Sequence, residues 1–388
     1  IDRINELKSG YDKNSEVLKK NLINKNLQFT HKNSDLNLYN FFIIAVPTPI
    51  KKNKQPDLKN LISATKQIGK IIKKNDIVVF ESTVYPGCTE EICIPMLEKI
   101  SKMKISKDFY CGYSPERINP GDKKRDFSNI IKVTSGCCLY SSNKIDRIYS
   151  SVIKAGTYRV DSIKIAEASK VIENTQRDLN IALINEFSII FNKLNIDTMK
   201  VLNAANTKWN FNFFKPGLVG GHCIGVDPYY LAYKSKKINH NPKILLSGRK
   251  INEEMPHNVF KRIKSLISSK KYSKKKLDVL ILGFTFKENC SDIRNSKVLE
   301  LIKLFKNPKF KVSCFDPYIS KINDKEFKDI KFMNKLTLRN KYDIVILAVS
   351  HKYFLNLGFK KIKNFGVKNS IIYDITNSFL EINKLNRL

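Results

Sequence analysis

Between Lys215 and Tyr230 the chain places a thiol, an imidazole and a carboxylate in one glycine-rich run. The run reads Lys215-Pro216-Gly217-Leu218-Val219-Gly220-Gly221-His222-Cys223-Ile224-Gly225-Val226-Asp227-Pro228-Tyr229-Tyr230. Glycine is scarce elsewhere: the chain holds 15 in 388 residues, and four of them fall between Gly217 and Gly225. Glycines gathered against the compositional trend mark backbone that must take positive φ or let a ligand approach closely. A tight loop around a buried cysteine is the plainer reading; the density of polar groups favours a functional site. A Cys–His hydrolase fits poorly, because neighbours in a turn or extended segment point apart and His222 is then a poor base for Cys223. Asp227, four residues on, reaches the thiol or a water if the loop curls. A thiolate that attacks an aldehyde forms a thiohemiacetal, which loses hydride to become a thioester that water cleaves. That chemistry needs a cysteine, a base for the water and a cation for the oxyanion.

The flanking segments have the patterns of elements that would position such a loop. Phe41–Val46 and Asp76–Glu81 are short apolar runs, and between them Leu58, Leu61, Ile62, Thr65, Ile68 and Ile72 recur near a 3.6-residue period. Strand, helix, strand at this spacing predicts a parallel, doubly wound sheet. The ligand of such a sheet sits outside the carboxyl ends of its strands, which marks Pro47-Thr48 and Ser82-Thr83 as site loops. From Ser162 to about Leu194 no Gly or Pro interrupts the chain. A helix that long, apolar at Ile172, Leu179, Ala182, Leu183, Phe187 and Ile190, joins domains or forms a dimer face. Leu277–Gly283, Phe310–Asp316, Asp343–Ala348 and Ile371–Asp374 read as strands of a second α/β region. The expected fold is therefore α/β, two Rossmann-like doubly wound domains joined by a long central helix and a helical middle domain. The boundaries are 1–160, 161–268 and 269–388.

Composition narrows the partners. The net charge is +34, but 59 of the 70 basic residues are Lys, scattered from Lys8 to Lys384. A nucleic-acid surface would use Arg forks and interleaved aromatics on one face, so no nucleic-acid partner is expected. No apolar run approaches the roughly 18 residues that would span a bilayer, so no membrane partner is expected either. The eight cysteines show no CxxC or Cys/His metal spacing, which predicts no metal site and fits inert thiols in a reducing cytoplasm.

The Lys215–Leu231 stretch resembles the active-site signature of the nucleotide-sugar 6-dehydrogenases, the UDP-glucose/GDP-mannose dehydrogenase family. Its Gly-Gly-His-Cys-Ile-Gly-Val-Asp-Pro-Tyr-Tyr form is most similar to that of the UDP-N-acetylglucosamine and UDP-N-acetylgalactosamine dehydrogenases of polysaccharide biosynthesis. Further matches run in order along the chain. Ala45–Pro49, Glu81–Gly87 and Ser114–Gly121 resemble the family's cofactor-side loops. Ala166–Asn174 resembles the helix of its catalytic lysine, and Gly283–Lys287 with Asp292-Ile293-Arg294 resembles the first turn of its UDP-binding domain.

The resemblance implies an NAD-dependent, four-electron oxidation of the C6 hydroxyl of a UDP-N-acetylhexosamine, UDP-GlcNAc favoured, by a homodimer or higher oligomer. A UDP-glucose or GDP-mannose dehydrogenase, or a non-catalytic UDP-sugar-binding homologue, are the alternatives. It implies that Cys223 is the nucleophile, that Asp227 and Thr83 serve the attacking water, and that Lys170 and Asn174 meet the oxyanion. Lys170 and Asn174 stand i, i+4 and project from one helix face; for Lys170 the plainer reading is a solvated surface lysine. Glu116 is implied as acid/base, with an ion pair to Arg117 or Lys123 as its plainer role. Val46, Pro47, Thr48, Ser82, Thr83 and Arg294 are implied to bind NAD. Phe214, Lys215, Gly217, Gly220, Phe286 and Lys287 are implied to bind the nucleotide sugar, with Arg249 contacting a neighbouring subunit's substrate. Arg3–Gly10 resembles the segment just after the family's ribose-binding acidic residue. The resemblance thus sets the first strand and Gly-x-Gly-x-x-Gly turn, roughly 35 residues, before Ile1, and implies that the chain as given binds NAD poorly or not at all.

Overall fold

The computed structural model describes residues 1–13, 17–118, 126–221, 224–270, 272, 274–319, 322, 325–328, 330–382 and 385–388. They form two compact units, Ile1–Lys170 and Val171–Leu388.

The first unit opens with the short helices α1 (Asp2–Lys8) and α2 (Lys19–Leu22), then alternates strands and helices. In order these are β1 (Phe41–Ile44), α3 (Lys59–Gly69), β2 (Ile77–Phe80), α4 (Ile94–Ser101), β3 (Tyr110–Tyr113), β4 (Lys132–Gly136), α5 (Leu139–Ser150) and β5 (Thr157–Arg159). The sheet order is β1-β2-β3-β4-β5. β1, β2 and β3 are parallel, β3 and β4 antiparallel, and β4 and β5 parallel. β1 is two residues shorter at its end than the apolar run, because Pro47 and Pro49 donate no N–H and Pro47 restricts the residue before it. α3 buries Leu61, Thr65 and Ile68, the face that the 3.6-residue period marks. Ile77 and Val79 on one face of β2 pack with Ile145, Tyr149 and Ile153.

Helix α6 (Ile163–Lys193) begins at the end of the first unit and continues into the second. The second unit continues with α7 (Thr198–Ala205), α8 (Asp227–Lys237), α9 (Lys243–Lys270), β6 (Leu277–Leu282), α10 (Lys297–Leu304), β7 (Phe310–Phe315), β8 (Lys331–Met333), β9 (Tyr342–Leu347), α11 (Lys352–Lys363), β10 (Gly366–Asp374) and β11 (Asn386–Arg387). Its sheet is all parallel, ordered β11-β10-β9-β6-β7-β8. The chain order reverses between β6 and β9, the topological switch at which open α/β sheets bind ligands.

Strict alternation explains the near-continuous apolar runs of these strands. Val279, Ile281, Ile344 and Ile346 pack with Met255, Val259 and Ile263 of α9 and Leu301 and Ile302 of α10. Leu280, Leu282, Val345 and Leu347 pack on the other face with Phe354 and Ile362 of α11. A parallel sheet covered on both faces has no polar side to show. Among the described residues no helix is long and apolar enough to cross a membrane.

Candidate active site

In the first unit the loops after β1 and β2 meet at the carboxyl edge of the sheet. Ser82 Oγ donates to the Val46 carbonyl at 2.6 Å, and Thr48 Oγ1 donates to the Thr83 carbonyl at 2.6 Å. Asn60 Nδ2 holds the Pro47 carbonyl at 3.1 Å. Val46, Pro47, Thr48, Ser82 and Thr83 thus form one laced edge. With both hydroxyl protons spent on carbonyls, the lone pairs left on Ser82 and Thr48 can accept from ribose hydroxyls or a carboxamide, so these residues fit the nicotinamide half of a dinucleotide.

The loop running on from Thr83 is tied to α6 by Glu167, which sequence reading passed over. Its fully buried carboxylate accepts the Gly87 N–H at 2.5 Å and the Thr89 N–H at 2.9 Å. Burial pushes this carboxyl up to about 7, against the pull of those hydrogen bonds. One turn further along α6, Lys170 is itself only 8% exposed, far from the solvated lysine that composition alone favours.

Glu116 Oε1 accepts the Ile118 N–H at 2.6 Å, while Oε2 faces the Lys132 ammonium at 4.0 Å. Arg117 instead donates to the Ile131 carbonyl at 2.8 Å. Lys123 lies outside the described residues. Among the described residues Glu116 faces the ammonium of Lys132, which no motif pointed to.

In the second unit the glycine-rich loop is anchored on both sides of its centre. Upstream, Gly217 donates its N–H to Asn185 Oδ1 at 2.8 Å and accepts from Asn185 Nδ2 at 3.0 Å. Gly220 and Gly221 lie against the loop that follows β6. Gly221 donates to the Asn295 carbonyl at 3.3 Å and accepts from Asn295 Nδ2 at 3.3 Å. A Cβ on Gly221 would stand 2.6 Å from the Phe286 ring, and one on Gly220 would stand 2.6 Å from the Asn295 carbonyl oxygen. Downstream, Asp227 opens α8 and accepts from Asn174 Nδ2 at 2.6 Å. Asp227 is 2% exposed. His222 and Cys223 lie outside the described residues.

A buried polar network underlies this loop. Asn185 Nδ2 donates to Asn252 Oδ1 at 2.8 Å, and Asn252 Nδ2 donates to Asp178 Oδ1 at 2.8 Å. Arg249 Nη1 meets Asp178 Oδ1 at 2.5 Å, and Nη2 lies 3.6 Å from Glu253. Tyr229 donates to Glu253 at 2.7 Å. Burial raises the Asp178 carboxyl even beside Arg249. Arg249 is 2% exposed, and its Nη2 would stand 3.7 Å from a Cβ on Gly225. Its guanidinium therefore lies close to its own chain's glycine-rich loop at Gly225.

The remaining expected ligands are spread along the second unit. Phe214 packs with Ile184, Met199 and Leu202, while Lys215 is exposed. Phe286 and Lys287 follow β6 at the switch point. Their loop is fixed from within by buried Asp316, which accepts the Phe284 N–H at 2.8 Å, and by His351 Nδ1, which accepts the Asn289 N–H at 2.8 Å. Arg294 is exposed and chelated to Asp292 at 2.6 Å.

Comparison with known proteins meets this geometry. Three domains of the UDP-glucose/GDP-mannose dehydrogenase family match in order: the NAD binding domain over residues 1–153, the central domain over 164–254 and the UDP binding domain over 280–381. The chain is 50% identical over 374 residues to UDP-N-acetyl-D-glucosamine 6-dehydrogenase of Salmonella typhi, covering 96% of this chain and 88% of that one. It is 48% identical to the protein of the same name from Pseudomonas aeruginosa, with the same coverage. The solved UDP-D-ManNAc dehydrogenase of Pyrococcus horikoshii superposes with a TM-score of 0.85 at 26% identity, over 99% of this chain and 88% of that chain. The laced hydroxyl edge, the doubly anchored glycine loop and the switch-point loop are thus parts of an NAD-dependent oxidoreductase, and the chain belongs to the UDP-glucose/GDP-mannose dehydrogenase family.

Proposed function

We propose that this chain oxidises the C6 hydroxyl of a UDP-N-acetylhexosamine, UDP-N-acetyl-D-glucosamine foremost, to a carboxylate. The substrate follows the relatives that share about half its residues. Two hydrides and three protons leave the CH2OH carbon, its hydroxyl and one water as the carboxylate forms. NAD, when bound along Val46, Pro47, Thr48, Ser82 and Thr83, supplies the hydride acceptor for both oxidations, with Arg294 on its pyrophosphate. The observation that carries the reading is the two-sided anchoring of the Cys223 loop: Gly221 against Phe286 and Asn295, and Asp227 on Asn174.

Cys223 adds through sulfur to the aldehyde carbon and is released when water breaks the thioester C–S bond. Asp227, fixed by Asn174 at 2.6 Å, takes the proton of that water, with Thr83 assisting. Lys170 meets the developing oxyanion, a role that a shielded ammonium serves far better than a solvated one. Glu116 moves the proton of the C6 hydroxyl. Phe214, Lys215, Gly217, Gly220, Phe286 and Lys287 hold the nucleotide sugar, with Arg249 contacting the substrate of a neighbouring subunit. The three-part division at 1–160, 161–268 and 269–388 follows the same reading. So does a homodimer or larger assembly, supported by the exposed Ile172, Leu183 and Ile190 along α6.

A thermal-shift panel tests the substrate class. A ligand at 100 times its Kd adds about 2.7 kcal/mol of stability. Selective stabilisation by UDP-N-acetylglucosamine over UDP-glucose and GDP-mannose is expected. Equal or absent shifts across the panel would contradict the assignment.

A further inference from the structure

The carboxyl edge of the first sheet holds a buried charge that the reaction as proposed does not use. β4 runs antiparallel to β3, with Gly112 opposite Gly136 and Tyr113 opposite Ser135. The same register carried three residues further sets Lys132 level with Glu116. Ser114 Oγ donates to the Val133 carbonyl at 2.7 Å and keeps the two segments together beyond the last ladder pair.

Lys132 is 3% exposed. Its ammonium lies 2.9 Å from Glu81 Oε1 and 5.1 Å from the ring centroids of both Phe127 and Tyr149. Glu81 Oε1 already accepts the Tyr149 hydroxyl at 2.6 Å. The Lys132–Glu81 contact is an ion pair without hydrogen-bond alignment, and the ammonium has no aligned acceptor among the described residues. A lysine held between two rings and one carboxylate has its position fixed and its donors unspent. The half-exposed Glu116 carboxylate stands 4.0 Å away, and catalytic contacts that are long in a free enzyme tighten when substrate binds. A buried ion pair gives little net stability compared with apolar residues of the same volume. What this one supplies is a fixed field at the ligand edge.

We propose that Lys132, fixed by Glu81, Tyr149 and Phe127, is a positioning residue that orients the Glu116 carboxylate and supplies the positive charge it faces. The proposal rests on the reading of Glu116 as acid/base. The charged and titratable groups around Glu116 are Lys132 of β4, Glu81 after β2, Tyr149 of α5 and Arg117 beside it in sequence. A cation at this distance draws the carboxylate toward it. Removing it, with Glu81 left behind, takes away that attraction and leaves a like charge behind the carboxylate.

The test compares kcat and KM of wild type, K132M, K132R and E116Q with UDP-N-acetylglucosamine, with a thermal melt of each. In K132M kcat should fall by about 10-fold or more at an unchanged KM, K132R should restore it, and E116Q should lose it. Should K132M not fold, K132M/E81Q removes both buried charges, and a loss of kcat at unchanged KM is again expected. Wild-type kcat in a folded K132M or in the double variant, with E116Q inactive, overturns the proposal and leaves Lys132 a packing residue. Full activity in E116Q overturns the role of Glu116 itself, and the proposal with it.

Discussion

Gly221→Ala isolates the contact that holds the cysteine loop against the switch-point loop. Gly221 has φ of +89°, and a Cβ there would stand 2.6 Å from Phe286 Cδ2 and 2.8 Å from Cε2. An alanine at positive φ costs about 1 kcal/mol. Pressing a methyl into an aromatic ring adds roughly 1–3 kcal/mol, so the total is about 2–4 kcal/mol. For a unit of this size that lowers Tm by about 4–16 °C. The catalytic loss should be larger than the stability loss implies, because Cys223 lies two residues on and a displacement of about 1 Å costs roughly 10²-fold. NADH formation at 340 nm and a thermal melt measure both effects. Gly217→Ala is the stability control: its Cβ would meet nothing within 4 Å, and its Tm should stay near wild type. A G221A protein with wild-type Tm and kcat/KM would refute the packing of Gly221 on Phe286.

Two further outcomes follow from buried charge. Glu167 is raised from 4.5 to about 7 in the folded chain, so the native state holds the extra proton between those values. Its contribution to stability is present below about pH 4.5 and falls by on the order of 3 kcal/mol as pH rises through 7; E167Q should flatten that part of the stability profile in denaturant melts, and an unchanged slope would contradict it. Arg249→Ala leaves Asp178 buried without its cation and should cost about 3–5 kcal/mol. Because burial already raises Asp178, that loss should be greatest at high pH and shrink as acid protonates the carboxyl; urea melts at two pH values decide.

Local signals made much of this molecule legible. The glycine cluster marks the loop because glycine is scarce elsewhere, and the apolar runs at Leu277–Leu282 and Tyr342–Leu347 mark strands buried on both faces. The uninterrupted stretch from Ser162 to Leu194 becomes α6 almost residue for residue. What sequence did not show is whatever depends on partners remote in the chain. Glu167 caps backbone 78 and 80 residues away. Arg249 and Asn252 reach Asp178 across 71 and 74 residues. Lys132 looks like any of the other lysines until the antiparallel turn of β4 brings it level with Glu116. Even the ends of β1 follow from prolines whose effect on the ladder is local, yet its sheet neighbours are set by the fold.

The central claim is a four-electron oxidation that passes through Cys223. Limiting UDP-N-acetylglucosamine with excess NAD should give two NADH per sugar consumed and one uronic acid. Cys223→Ser should form no acid at a steady rate. Steady uronic acid from C223S, or one NADH per sugar with free aldehyde from the wild type, would contradict the account.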